Sequence, residues 1–350
     1  MKILHSADIH LDAPFAGRTA EAADFLRREL LAVPGKLADL CVAEGCDLVL
    51  LSGDLFDGAY SRESYCALYT ALERMGVPVF ISPGNHDYCG MNSPWEQEIW
   101  PENVYVFTKE KMESVAVPGL DCRVYGAGYQ SMDCPGLLEG FRAAGDEKYH
   151  IGLLHADPTQ AATPYCPLTR EQIRASCLHY LALGHVHKTG SFREGQTLCA
   201  WPGCPMGRGY DETGEKGVYL VELGQQTTLE FIPLDTLRFY DWEAEVAAAP
   251  MDAVAALLPP VGNGHFYRIT LTGETEPFDA TALSFPHFPH LQLRDNTVPP
   301  ADLWGCIHED SLEGTYFRLL HDALAEDTDT ATLAAKLSRK ILDGQEVVLP

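Results

Sequence analysis

Short apolar runs that each end in a polar or glycine-containing turn recur through the first 232 residues: KILHSAD, DLVLLSGD, VPVFISPGNHD, YHIGLLHAD and YLALGHVH. Apolar runs of this length, without alternation, predict strands buried on both faces. Between the early runs lie helical patterns over residues 25–31, 37–42 and 65–75, the last followed by Gly76 as a stop. Strand, helix, strand in that order predicts an α/β domain whose strand-end motifs share one rim of a sheet. GVYLVEL and TTLEFIPL then add two strands with no helix between them, which points to two sheets packed together rather than one open sheet.

The pattern changes near residue 236. Tyr240, Trp242, Ala244 and Val246 alternate with Asp241, Glu243 and Glu245, the signature of a half-exposed strand. A helix over 251–258 ends at Pro259 and Pro260, FYRITLT places Tyr267, Ile269 and Leu271 on one face, and HLQLR supplies a third strand. Farther on, Ser311 is positioned to cap a helix with Leu312, Tyr316, Leu319, Leu320 and Ala323 along one side. Thr330 is positioned to cap a second, with Leu333, Leu337 and Ile341 in line, Lys336, Arg339 and Lys340 in its last turns and Gly344 at its end. The expected division is a catalytic domain over 1–235, a small α+β module over 236–300 and a helical tail over 301–350.

Composition narrows the setting. The chain has 350 residues, 46% hydrophobic and 21% charged, and no run nears the roughly 18 apolar residues of a membrane span. Eleven cysteines without a CxxC pair, among them Cys41, Cys66 and Cys177 in expected helices, suit free thiols and a cytoplasmic protein with no targeting segment. The 50 acidic against 25 basic residues, a formal charge of −25, argue against a nonspecific nucleic-acid binder, which relies on Lys and Arg to displace counterions.

The polar residues at the ends of the runs carry the chemistry: Asp8 and His10, Asp54, Asn85 and His86, His155, then His185 and His187. In extended backbone His185 and His187 face the same side. Leaving out His86, the set holds three oxygen donors and four imidazoles, which suits manganese, iron or zinc better than calcium. Seven donors are too many for one tetrahedral site, so two divalent ions are expected. A pair about 3.5–4 Å apart activates a water and steadies the leaving oxygen of a phosphoester. One carboxylate should bridge them, and Asp54, on a central strand, is best placed. Taken singly, Asp-x-His and Gly-Asp are ordinary turns and His155 an ordinary core histidine. Five such motifs at the ends of five apolar runs point to metal, and argue against a non-catalytic scaffold.

ADIHLD, GDLFD, GNHD, LLHAD and GHVH resemble the five motifs of the calcineurin-like metallophosphoesterases. GDLFD with GHVHKTG, the following AWPGCPMGRGYDETGEKGVYLVEL and a small later module resemble, within that superfamily, the SbcD and YhaO type of DNA repair exonuclease. The resemblance covers residues 1–235 well and the small module loosely. It implies an α/β fold, a two-sheet metallophosphoesterase sandwich flanked by helices, with a small α+β cap module and a helical C-terminal tail. Matched motif by motif, it would place one ion on Asp8, His10 and His187 and the second on Asn85, His155 and His185, with Asp54 bridging. Manganese is the first expectation, with iron, zinc and magnesium as alternatives. His86 matches a residue that assists protonation of the leaving group or stabilises the transition state. Asp87 can hold its ring in the right tautomer, and a purely structural His86–Asp87 pair is the other reading. Asp57, where eukaryotic relatives carry histidine, stands open between an acceptor for a ligand histidine and a helix cap before SRES. His5 is expected in the core, and Asp12 and Asp157 in turns.

Two substrates remain in competition. The resemblance implies a DNA repair exonuclease or endonuclease that hydrolyses phosphodiester bonds; global acidity favours small nucleotides or other small phosphoesters. The extra module and the GRGYDETGEKG loop favour DNA, and from 188 to 210 Lys188, Arg193 and Arg208 face only Glu194. The resemblance further implies a homodimer through amino-terminal helices, no membrane, and an ABC/SMC-type ATPase subunit gripped by the helical tail. Packing of that tail on its own domain is the alternative.

Overall fold

The computed structural model describes residues 1–160, 162–246, 249–299 and 302–344, so the expected boundary between residues 300 and 301 lies outside the described residues. The chain divides into two compact units, Met1–Asp241 with Asn263–Tyr267, and Trp242–Gly262 with Arg268–Pro350.

In the first unit, strands β1 (Lys2–Ser6), β2 (Leu48–Leu51), β3 (Val79–Ile81) and β4 (Val104–Val106) lie parallel and side by side. The next six strands are β5 (Glu113–Val117), β6 (Cys122–Gly126), β7 (Tyr149–His155), β8 (Tyr180–Gly184), β9 (Gly190–Glu194) and β10 (Thr197–Trp201), which form a second sheet in the order β5-β6-β7-β8-β10-β9. β11 (Gly217–Glu222) and β12 (Thr228–Pro233) return antiparallel to complete the first sheet as β12-β11-β1-β2-β3-β4. This is the α/β two-sheet sandwich expected above.

The uninterrupted apolar runs follow from two covered faces. Ile3, Leu48 and Leu50 meet Val124, Ile151, Leu153, Tyr180 and Ala182 between the sheets. The alternate positions Leu4, Val49 and Leu51 face a helical layer. That layer is made by α1 (Ala20–Leu31), α2 (Val33–Glu44) and α3 (Arg62–Met75), through Leu26, Leu30, Leu37, Ala38, Cys41, Leu68 and Leu72. Thr19 caps α1 by accepting from the Ala22 N–H, and Ser61 and Ser64 form a capping box on α3, which stops at Gly76 with φ 65°. Asp12 accepts from the Ser61 N–H at 2.9 Å, so its carboxylate braces that cap. Two short helices, α4 (Pro94–Gln97) and α5 (Arg170–Ala175), complete the unit.

Next, β13 (Phe239–Glu245), α6 (Pro250–Leu257), β14 (Phe266–Thr272) and β15 (Leu291–Asp295) give a three-stranded sheet, ordered β13-β14-β15, with one helix; Phe239–Asp241 and Phe266–Tyr267 are counted with the first unit and the rest with the second. Ala244, Val254, Ile269 and Leu271 are buried in it. α7 (Leu312–Ala323) and α8 (Thr328–Leu342) follow and pack on one another. Ser311 caps α7 as expected, but Asp327 rather than Thr330 caps α8, accepting from the Thr330 N–H at 3.1 Å because the helix starts three residues earlier. The buried side of the pair is also shifted. Phe317 and Ala335 form its core with Leu303 and Cys306, while much of the expected apolar face is exposed, including Leu312, Tyr316, Leu319, Leu333 and Ile341.

All eleven cysteines are free. Cys41 is a buried helical residue as expected, whereas Cys66 is exposed on α3 and Cys177 lies outside any helix at φ 58°. Among the described residues no helix is long and apolar enough to cross a membrane.

Candidate metal centre

Every motif residue sits at or just beyond the carboxyl end of a parallel strand, the rim at which open α/β sheets bind ligands. Asp8 and His10 follow β1, Asp54 follows β2, Asn85 and His86 follow β3, His155 ends β7, and His185 and His187 follow β8. The loops after β1 and β2 continue side by side through Asp8 N–H to Gly53 O at 3.0 Å, His10 N–H to Asp54 O at 2.9 Å and Leu11 N–H to Leu55 O at 2.8 Å. Asp8, His10, Asp54 and His185 all have left-handed backbone, with φ of 53°, 54°, 51° and 85°. Such strain, of order 1–3 kcal/mol per residue, persists where the surroundings over-determine it and clusters at functional sites. Gly84 is forced by crowding, since a Cβ there would stand 2.3 Å from Asp54 Oδ1.

The donor atoms converge in two groups. His187 Nε2 lies 3.2 Å from His10 Nε2 and 3.9 Å from Asp8 Oδ1. Asn85 Oδ1 lies 3.0 Å from His155 Nε2 and 3.3 Å from His185 Nδ1. Asp54 Oδ2 stands between the groups, 3.7 Å from His10 Nε2 and 3.2 Å from His155 Nε2.

These residues fit cations. Asp8 Oδ2 is buried without a hydrogen-bond partner, an arrangement costly for a carboxylate. Three imidazoles turn Nδ1 outward to an acceptor: His10 to Asp57 at 3.3 Å, His155 to Ser52 O at 2.8 Å and His187 to Glu212 at 2.8 Å. An Nδ1–H donated outward leaves the Nε2 lone pair pointing in, the orientation of a metal-ligating histidine. The carboxylates already draw positive charge. Burial disfavours the imidazolium of His155, yet the charge and hydrogen bond of Asp54 outweigh it and hold the ring up at about 9. Burial opposes ionisation of Asp54 as well, but His155 and then His10 keep it far below the usual carboxylate range. His185, desolvated and beside His155, is pushed down to about 4 and so presents a neutral ring.

His86 and Asp87 part company. Asp87 does not orient the His86 ring: its buried carboxylate accepts from the backbone N–H groups of Gly84 at 2.7 Å, Leu55 at 2.8 Å and Asp54 at 3.2 Å, pinning the β2 and β3 loops together. Burial and then the Asp54 charge push it up to about 7. The contact by which Asp87 was expected to hold the His86 ring is thus not made; its carboxylate braces the two loops instead. The ring's partner is Asp57, whose Oδ1 lies 2.6 Å from His86 Nδ1 and also faces His10, so Asp57 is an acceptor for both imidazoles rather than a helix cap. That contact raises the His86 pKa. His86 is half-exposed and lines a cavity of about 500 Å³ with Tyr60, Tyr88 and Met91. His5 is buried between Tyr180 Oη and Ser52 Oγ at 2.7 and 2.8 Å, the core residue expected, and Asp157 closes a turn on Thr159.

One pair escapes motif reading. Glu212, buried, and Arg208 lie against His187, with Arg208 Nη2 at 3.1 Å from its Nδ1. The only trace in sequence is an Arg and a Glu four apart in the glycine-rich loop after GHVH.

Comparison with known proteins adds a family. The pattern of the calcineurin-like phosphoesterases matches residues 1–188. The chain is 34% identical over 239 residues to the uncharacterized metallophosphoesterase YhaO of Bacillus subtilis, a match covering 64% of this chain but only 57% of YhaO. It is 24% identical over 294 residues to the SbcD component of the SbcCD nuclease of Bacillus subtilis, covering 70% and 72% of the two chains. It is 25% identical over 342 residues to the DNA double-strand break repair protein Mre11 of Sulfurisphaera tokodaii, covering 93% and 81%.

Proposed function

The chain belongs to the calcineurin-like phosphoesterase family, a phosphoester hydrolase on that footing, and from this premise we propose that it is a two-metal phosphodiesterase that cleaves DNA. The observation that carries the reading is the position of Asp54 between two groups of donors, Asp8, His10 and His187 on one side and Asn85, His155 and His185 on the other. Two divalent ions held there, manganese foremost, would activate a water and offset the charge of the scissile phosphate. The protein's own part is to aim the lone pairs and to hold His86, through Asp57, beside the reacting phosphate as the group that protonates the leaving oxygen. Residues 1–235 are assigned to catalysis, 236–300 to a cap and 301–350 to a helical tail. Free cysteines accord with a cytoplasmic setting.

DNA as substrate is supported by similarity to a nuclease component and to a break-repair protein. The formal charge of −25 favours the second reading, a small nucleotide or other small phosphoester. Purified protein with manganese, given linear DNA, hairpin DNA and a chromogenic phosphodiester, separates them. Cleavage of DNA is expected; turnover of the small ester alone would leave the second reading standing.

An acidic nuclease needs help to hold DNA, and the exposed apolar side of the tail offers a surface for the ABC-type ATPase that the resemblance implies. Leu319 and Ile341 are 64% and 63% exposed, so Leu319→Glu with Ile341→Glu leaves the packed side of the tail intact. The double variant is expected to keep its metal content and its activity on a small ester but to lose co-purification with the ATPase. Undiminished association would place the partner site elsewhere.

A further inference from the structure

Glu212 lies 25 residues beyond the histidine it touches, on the GRGYDETGEKG loop, where neither it nor Arg208 has been given a role in holding metal. An Arg–Glu pair four apart in a loop is ordinarily a solvated ion pair worth little. This one is not solvated: the Glu212 side chain is 5% and the Arg208 side chain 19% exposed. Burying a carboxylate costs several kcal/mol unless its oxygens are satisfied. They are, by the Arg208 N–H at 2.8 Å, by Arg208 Nη2 at 2.6 Å and Nε at 3.2 Å, and by His187 Nδ1 at 2.8 Å.

The loop is built to keep them there. The Glu212 N–H bonds to Gly209 O at 3.1 Å and the Gly214 N–H to Phe239 O at 3.1 Å. Tyr210 packs edge-on to Phe239 with centroids 5.2 Å apart, and the Arg18 guanidinium lies 5.2 Å from the centroid of each of those two rings. A Cβ on Gly207 would stand 2.7 Å from Glu212 O, so the approach requires glycine.

We infer that Glu212, locked by Arg208, is a positioning residue for one of the two ions: it takes the Nδ1–H of His187 and so fixes the tautomer and rotation that present Nε2 to the group formed with Asp8 and His10. His187 needs this more than its counterparts. His10 and His155 are fully buried and wedged by their surroundings, whereas the His187 side chain is 30% exposed and follows the end of β8 on a loop. Arg208 enters through Glu212, because an Nδ1–H already given to the carboxylate cannot accept from the guanidinium.

The inference rests on the two-metal reading, and its test separates the two. Wild-type protein titrated calorimetrically with Mn²⁺ is expected to take up two ions. Glu212→Gln, equal in shape but a poorer acceptor, is expected to bind one ion as wild type does and the other about 10–100-fold more weakly. At intermediate Mn²⁺ its EPR spectrum should then show an isolated ion where wild type shows an exchange-coupled pair. Arg208→Met, which frees the Glu212 carboxylate, should weaken the same ion by less. Two full-affinity ions in Glu212→Gln would overturn the assignment. So would loss of both ions together with a lower melting temperature of the metal-free variant, which would make Glu212 a residue of the fold. Full metal binding by Arg208→Met with impaired turnover would overturn the part given to Arg208, showing that it acts on the substrate. No uptake of metal by the wild-type protein would instead strike down the two-metal reading itself.

Discussion

Asp54→Asn is expected to abolish phosphoester hydrolysis and to deplete both ions together. The side chain is 2% exposed, and Oδ2 stands between His10 Nε2 and His155 Nε2 while Oδ1 accepts from the His86 N–H at 2.9 Å. An amide fills the same volume but removes the charge shared by the two donor groups, and its nitrogen offers no lone pair to an ion. The fold should survive, because the hydrogen bonds between the β1 and β2 loops are made by the Asp54 backbone and by Leu55. Activity should fall by more than the ~10²–10⁴-fold typical of a lost acid–base group, since metal is lost as well. Metal analysis beside a phosphodiesterase assay checks this. A variant that retains both ions and full activity would show that Asp54 is not the bridge.

His86→Gln separates chemistry from metal binding. His86 lies at the edge of the centre, half-exposed, bonded to Asp57 and facing the cavity with Tyr88 and Met91. Removing its ring should leave both ions in place and lower turnover by about 10²–10⁴-fold. Loss is expected to be largest for substrates with poor leaving groups and small for a nitrophenyl ester, whose leaving oxygen needs no proton. Equal loss on both esters would assign His86 to transition-state charge rather than to proton transfer, and loss of an ion would make it a ligand.

The fold was legible where apolar runs carry two covered faces. The β1, β2 and β8 runs, KILHS, LVLL and YLALG, are buried through nearly every residue, so their reading as buried strands holds. β5 and β9, edge strands with every other residue exposed, carry too weak a pattern to stand out. On α8, the row Leu333, Leu337 and Ile341 suggests the buried side, yet Ala335 is what packs under Phe317, because a close helix pair selects a small residue at the contact.

At the centre, residue identity and strand-end position were enough to nominate seven candidate donors, because the parallel strands β1, β2 and β3 of one sheet and β7 and β8 of the other bring their carboxyl ends together. Orientation was not legible. Asp87 is adjacent to His86 in sequence, and that adjacency misleads: its carboxylate turns back to the Leu55 and Gly84 N–H groups, and the acceptor for His86 comes from Asp57, 29 residues earlier. Glu212 meets His187 only because a glycine loop folds back over 25 residues, a tertiary fact with no periodic signal. The left-handed backbone at Asp8, His10 and Asp54 was not legible either: Asp and His adopt it more readily than most side chains, but the loop contacts decide which of them do.

The most direct measurement is anomalous diffraction from crystals grown with Mn²⁺. Two peaks about 3.5–4 Å apart are predicted, one bonded to Asp8, His10 and His187, the other to Asn85, His155 and His185, with Asp54 reaching both. A single peak, or two peaks with Asp54 bound to only one, would contradict the two-metal centre.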